Sequence, residues 1–243
     1  MGSQYTLPEN GRIRVLSASG SVTVIAEERP DVDVEPANRT VELTESGRHR
    51  HRRRHGIFDR WHRESTEGDA PPSRRPVLEV KSKSGSIEVR CPIGTDVSVG
   101  AMSGSVKLVG TFGSLKISTV SGNIDIDTAT GNVDARSVSG SISVKSVGGR
   151  ADVSSKSGRV RIDLVEGPAH ASTISGGVEI GTAGDDVELK MVSGGAKIKV
   201  LSEKQPRIRF SSLSGKMHCE CVQGSDFDLK VKSISGSLEV TGR

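Results

Sequence analysis

Along most of this chain apolar and polar residues alternate, and Ser-Gly pairs punctuate the alternation at a regular step. Around one pair the order is Val133, x, Ala135, x, x, Val138, Ser139, Gly140, x, Ile142, x, Val144. Alternation at period two predicts half-buried strands. The doubled polar position before Val138 predicts a bend, so each copy reads as about three short straight segments. The same order fits Leu115, Ile117, Val120, Ile124 and Ile126, and again Val187, Leu189, Val192, Ala196 and Ile198. From Gly104 to Gly194 the Ser-Gly step is 18 residues five times running, and then it is 21 twice.

Helical spacing is absent from these copies, and strands this short cannot bury an apolar face alone. Each copy must stack on its neighbours. The pattern therefore predicts an all-β, single-stranded parallel β-helix, or β-solenoid. It would have about eleven coils of roughly 18 residues and one long inserted loop, and form a rod roughly 50 Å long. Ile124, Ile126, Val133, Ala135, Val138, Ile142 and Val144 are expected to face one continuous core. Glycine suits a corner that needs positive φ or a close backbone approach, and the serine before it should form an outward ladder. A serine nucleophile at each copy has no distinctive His and carboxylate beside it.

The outward position after each Ser-Gly reads Glu88, Lys107, Asp125, Ser143, Arg161, Glu179, Lys197, His218, Glu239. Charge sign alternates between most charged neighbours, as in-register stacking would require. The template also fits Ile13 to Val24, and again Val32 to Leu43 with Asn38-Arg39 in place of Ser-Gly. On this reading the first coil has about a dozen residues before Ile13 to cover it, and the last one, at Leu238 to Gly242, presents an open edge. Self-association or partner docking through ends or edges is the expectation.

The next copy does not begin until Leu78, so 44–76 reads as an Arg/His-rich insertion at one corner, flexible and dispensable for folding, within a single domain spanning 1–243. Composition matters here. Residues 48–63 hold seven arginines against Asp59, so a chain of net charge +4 is about −2 elsewhere. The candidate binding residues are Arg48, Arg50, Arg52, Arg53, Arg54, Ile57, Phe58, Arg60, Trp61 and Arg63. Ile57, Phe58 and Trp61 would share one face of a short helix. Such a patch fits an anionic membrane surface, a nucleic-acid backbone or an acidic partner. The competing reading is a solvated disordered loop, which the following STEGDAPPSRRP favours.

Metal and cofactor chemistry find little support. His49, His51, His55 and His62 stand among guanidinium charges that disfavour a cation. Strand alternation points His218 away from Cys219 and Cys221, and Cys219 takes a core position equivalent to Leu108. With Cys91 the cysteines number three, an odd count without framework spacing, so disulfide stapling is not expected. Aromatic residues are only 2% of the chain and glycines number 29, which implies a thin core of Val, Ile and Leu. No long apolar run or hydrophobic leader is present, and the expected location is cytoplasmic.

The copies resemble a bacterial family catalogued as a putative adhesin domain of unknown function. The resemblance rests on the repeated Ser-Gly corners and on the lead-in Cys91-Pro92-Ile93-Gly94-Thr95-Asp96-Val97-Ser98-Val99 before Met102-Ser103-Gly104-Ser105-Val106-Lys107-Leu108. It covers essentially the whole chain outside 44–76. It implies a parallel β-helix-like fold and offers no catalytic residues; the sequence itself makes no cofactor or small-molecule substrate evident. A non-catalytic structural or interaction module is therefore the leading expectation. The alternative is a polysaccharide-acting β-helix enzyme, which needs two carboxylates in a groove that usually also offers aromatic platforms; the single Trp and Tyr lie outside the regular coils.

Overall fold

The computed structural model describes residues 3–7, 11–36, 40–44, 76–200, 206–221 and 228–242. These are all-β. The strands are β1 (Ser3–Thr6), β2 (Arg12–Ser19), β3 (Val22–Glu27), β4 (Asp31–Glu35), β5 (Thr40–Thr44), β6 (Val77–Ser82), β7 (Ile87–Pro92), β8 (Asp96–Ser103), β9 (Val106–Phe112) and β10 (Leu115–Ser121). There follow β11 (Ile124–Ala129), β12 (Val133–Ser139), β13 (Ile142–Val147), β14 (Ala151–Ser157), β15 (Val160–Val165), β16 (Ala169–Ser175), β17 (Val178–Ala183), β18 (Val187–Val200), β19 (Arg207–Cys221) and β20 (Asp228–Gly242).

From β8 onward each coil is two strands meeting at a Ser-Gly corner. β8, β10, β12, β14 and β16 pair in parallel as one ladder. β9, β11, β13, β15 and β17 form the second. β18, β19 and β20 run through the corner and serve both ladders. Partners keep the offset of the sequence repeat: Val133 lies opposite Leu115 and Ala151, and Val187 opposite Ile208. The β-solenoid is thus the fold. Its core lies between the ladders and is lined by short aliphatics such as Val133, Ala135, Ile142 and Val144, all essentially buried, with Phe112 and Phe210 as its bulkiest members.

The corner glycine has the predicted cause. Gly140 has φ +148° and its N–H donates to Ser157 C=O at 3.1 Å, while a Cβ there would overlap the Gly122 carbonyl. Successive corners therefore lie against each other, backbone on backbone. The preceding serines face outward in register, Ser121 beside Ser139 beside Ser157.

Three expectations need correction. First, no bend interrupts β12: Val133, Ala135 and Ser137 all point inward, so Ser137 is buried and Val138 turns out. The reason is volume. The position three residues before each glycine sits under the corner, where Ser155 Oγ already lies 3.2 Å from the place a Cβ of Gly158 would take. Most coils place a small side chain there, Met191 being the large exception, and the branched one is displaced to the surface.

Second, the segment 32–43, counted above among the eleven coils, is not a parallel coil. β4 runs antiparallel to β7 and β5 antiparallel to β6, with β1 antiparallel on β4. They form a cap, and strand alternation reads the same in either direction. Ala37, Asn38 and Arg39 lie outside the described residues.

Third, chain order is not stacking order. β2 lies between β6 and β8, and β3 between β7 and β9. The first coil is therefore internal and needs no cover of its own. The coil β6–β7 occupies the gap between β2–β3 and the return strands β4–β5, and the link after Pro92 steps over β2–β3 to reach β8. Glu88 consequently neighbours Thr23 and Glu35, and Lys107 meets Thr23 from the other side.

Candidate interaction surface

The displaced apolar residues form a column on the outer face of the first ladder, one per coil, beside each serine. Met102, Val120, Ile174, Val192, Leu213 and Ile234 are between 40% and 82% exposed. Val138 and Lys156 occupy the same position in their coils, flanked by the paired Thr119, Ser137, Ser155 and Thr173 on one side and the serine ladder on the other. Stacking converts one repeated sequence position into an apolar stripe that Lys156 alone interrupts between Met102 and Ile234. A shallow groove of about 620 Å³ runs along it, lined by Val138, Ile174 and Val192 with Lys116, Arg136, Lys156 and Lys190 against Asp134. The rim carries both signs of charge, with Arg136 2.9 Å from Asp134 and Lys190 2.9 Å from Glu188.

Beneath it lies a column of mostly small, hydroxyl-bearing side chains, with Ala101 and Met191 in the same row. Ser17 Oγ donates to Gly20 C=O at 3.4 Å, Ser82 Oγ to Ser84 C=O at 3.0 Å, and Ser155 Oγ to Gly140 C=O at 3.3 Å. The hydroxyls of Thr119, Ser137, Thr173 and Ser212 are buried without a bonding partner. A second corner is tied by carboxylates and amides. Asp96, Asn132 and Asp186 accept the backbone N–H of Ser114, Arg150 and Arg207 in the next coil at 2.8, 2.9 and 2.8 Å. Period-two reading offered no signal for these side chains, whose function is to hold one coil on the next.

The outward charge column of the second ladder is in register from Lys107 through Asp125, Ser143, Arg161, Glu179, Lys197 and His218 to Glu239. Arg161 lies 3.6 Å from Glu179, and His218 Nδ1 lies 3.2 Å from Glu239. On the first ladder His170 Nδ1 lies 3.3 Å from Glu188, whose carboxyl is held below its usual range chiefly by hydrogen bonding to Lys190. Each pair stands on an open sheet face, where water competes for the charge, so these rungs favour register more than they add stability. Lys145 to Asp127 is the tightest, at 2.6 Å.

Cys219 is buried in the core while His218 faces out to Glu239. Cys91 is buried too, and burial pushes its thiol up to about 12. Among the described residues no cluster of three His, Cys, Asp or Glu is placed to hold a metal, and no helix is long and apolar enough to cross a membrane. The candidate residues Arg48, Arg50, Arg52, Arg53, Arg54, Ile57, Phe58, Arg60, Trp61 and Arg63 lie outside the described residues.

Comparison with known proteins meets this geometry in the regular coils. Residues 75–186 match the family model Toastrack DUF4097, a domain of unknown function. Over that stretch the chain is similar to the Toastrack family. The matched stretch begins at the coil β6–β7 and ends at Asp186, before the corner-spanning strands. No curated protein matches the chain. A solved structure of a putative cell adhesion protein from Clostridium sporogenes aligns over 100% of both chains, at 6% identity and a TM-score of 0.23. At that score the alignment carries no argument about fold or role.

Proposed function

We propose that this chain is a non-catalytic interaction module, a scaffold whose faces and ends dock proteins, other copies of itself included. The observation that carries the reading is the exposed apolar column from Met102 to Ile234, broken at Lys156. Exposed apolar side chains gathered in one column with a polar rim suit a protein contact surface. The exposed His–carboxylate pairs are rungs of charge ladders on open faces, and no enclosed groove gathers paired carboxylates with an aromatic platform among the described residues.

The finer expectations belong to this proposal: a single solenoid domain over 1–243, a count of about eleven coils reduced by the antiparallel cap, the insertion at 44–76, and a cytoplasmic location. Thr44 lies directly opposite Val77 at the ends of that insertion, so a short turn could join them. The anionic-partner reading of 48–63 rests on residues outside the described ones and is not part of the proposal.

Incubation with a panel of polysaccharides tests the class. No turnover is expected. Saturable turnover abolished by removing one pair of Asp or Glu side chains would establish the enzyme alternative instead.

A further inference from the structure

Among the described residues β20 has one neighbour, β19, and its other edge is unpaired. Leu238 and Val240 hold core positions equivalent to the buried Met217 and Cys219, yet they are 46% and 48% exposed. At the other end the strands turn antiparallel: β5 lies on β6, β4 on β7 and β1 on β4. An open edge over apolar core positions is a template for another strand.

We propose that the occupant is a second copy of this chain, joined through β20 about a two-fold axis. This rests on the interaction-module reading and gives it a partner and a register.

Charge selects the arrangement. β20 contains two straight halves, 228–233 and 237–242, joined by the corner Ser235-Gly236. The outward charges are Asp228, Lys230 and Lys232 on the first half and Glu239 on the second, all exposed. A two-fold relation that laid the first half beside itself about its middle would set Lys230 against Lys230 or Lys232 of the partner subunit, with only Asp228 to offset them. The second half beside itself would set Glu239 against Glu239 of the partner subunit. Like charges directly opposite are destabilising.

The remaining closed arrangement lays the first half antiparallel to the partner's second half. Counting outward from the corner, Lys232 then faces Glu239 of the partner subunit, and Val231 faces Val240 of the partner subunit. Inward and outward sides agree, so the two cores become continuous. Symmetry supplies each contact twice. Glu239 already has His218 at 3.2 Å on its β19 side, which leaves its other side to receive Lys232.

The end of a two-strand coil is smaller than a standard interface, so the dimer should be weak and visible only as concentration rises. The test is sedimentation equilibrium of the full chain from about 1 µM to about 1 mM, a range chosen to bracket weak association. A reversible monomer–dimer equilibrium is expected. Lys232→Glu and Glu239→Lys should each weaken it about tenfold, since each reversal is felt twice, and the double variant should recover most of the loss.

Leu238→Lys should abolish the dimer. Because that side chain is already half exposed, its circular-dichroism spectrum should remain that of the parent. A strict monomer, association indifferent to both reversals, or open-ended growth of filaments would each overturn the β20 pairing. None of these touches the wider module reading, which the polysaccharide panel tests separately.

Discussion

Replacing Gly140 by alanine separates the two reasons for glycine at the corner. The new Cβ has to accept φ +148°, a sparsely populated conformation costing an L-residue about 1–3 kcal/mol, and it overlaps the Gly122 carbonyl. That carbonyl belongs to the backbone of the coil below, so no side chain can swing away. Relief means moving one corner off the next, at the expense of bonds such as Gly122 N–H to Ser139 C=O at 3.1 Å. Overpacking of this kind typically costs about 1–3 kcal/mol more. The sum is about 3 kcal/mol, a fall in Tm of about 6–12 °C for a chain of this size.

Two other alanines calibrate the result. Gly94 has φ +77° but nothing within 4 Å of an added Cβ, so Gly94→Ala should show the conformational part alone, about 1 kcal/mol. At Gly177 the nearest atom is Gly195 O at 3.6 Å and φ is ordinary, so Gly177→Ala should be neutral or slightly stabilising. Thermal and urea unfolding followed by circular dichroism give the order. A Gly140→Ala variant within about 1 kcal/mol of the parent, or no costlier than Gly94→Ala, would refute close backbone stacking as the reason for the repeat.

Other consequences are simpler to measure. Ser137→Ala removes a buried, unpaired hydroxyl and should leave Tm unchanged or raise it, whereas a loss of more than about 1 kcal/mol would mean that the hydroxyl is bonded in solution. Hydrogen bonding to Lys145, aided by the Gly110 N–H, holds the Asp127 carboxyl below its ordinary value. A depressed carboxyl stabilises the fold above its unfolded pKa near 4, and that contribution disappears as pH falls through the lower folded value. Asp127→Asn should therefore lower Tm by about a degree or two at pH 7 and converge with the parent in acid; a difference that persists at pH 2 would exclude the ion pair as its source. Cys91 is enclosed and its thiol is protonated at neutral pH, so peptide mapping after alkylation at pH 8 should find it unmodified until the protein is unfolded.

Much of the regular stack was legible because two periods reinforce each other. Alternation identified the buried rows such as Val133, Ala135, Ile142 and Val144, and the 18-residue step fixed which of them lie side by side. The charge column from Lys107 to Glu239 was readable for the same reason. Val138 was misplaced because hydrophobicity and corner volume make opposite demands there, and volume wins. That error concealed the candidate surface, since a residue assigned to the core is not sought on an outer face. The position of β2–β3 was illegible for a different reason. Copies with the same template fit one another almost equally well, so pattern cannot say that Val22 pairs with both Ile87 and Val106.

The interleaved N-terminal part should open as one unit. In the regular region each coil lies on the one preceding it in sequence, so a coil can be lost from an end while the rest keep their partners. The segment 12–44 instead grips β6–β7 from both sides, with β2–β3 on one flank and β4–β5 on the other. If β6–β7 leaves, β4 and β5 lose their partners and β2–β3 keeps only β8–β9. Closing these pairs also requires contacts between strands more than sixty residues apart, such as Ile13 with Leu78, which carry a larger loop-closure cost than the 18-residue step. Native-state hydrogen exchange should therefore show β2 through β7 exchanging with a common opening free energy lower than that of β10 through β15. Protection in β2–β3 equal to that in β12–β13, or graded strand by strand across 12–92, would show that the interleaving imposes no such cooperativity.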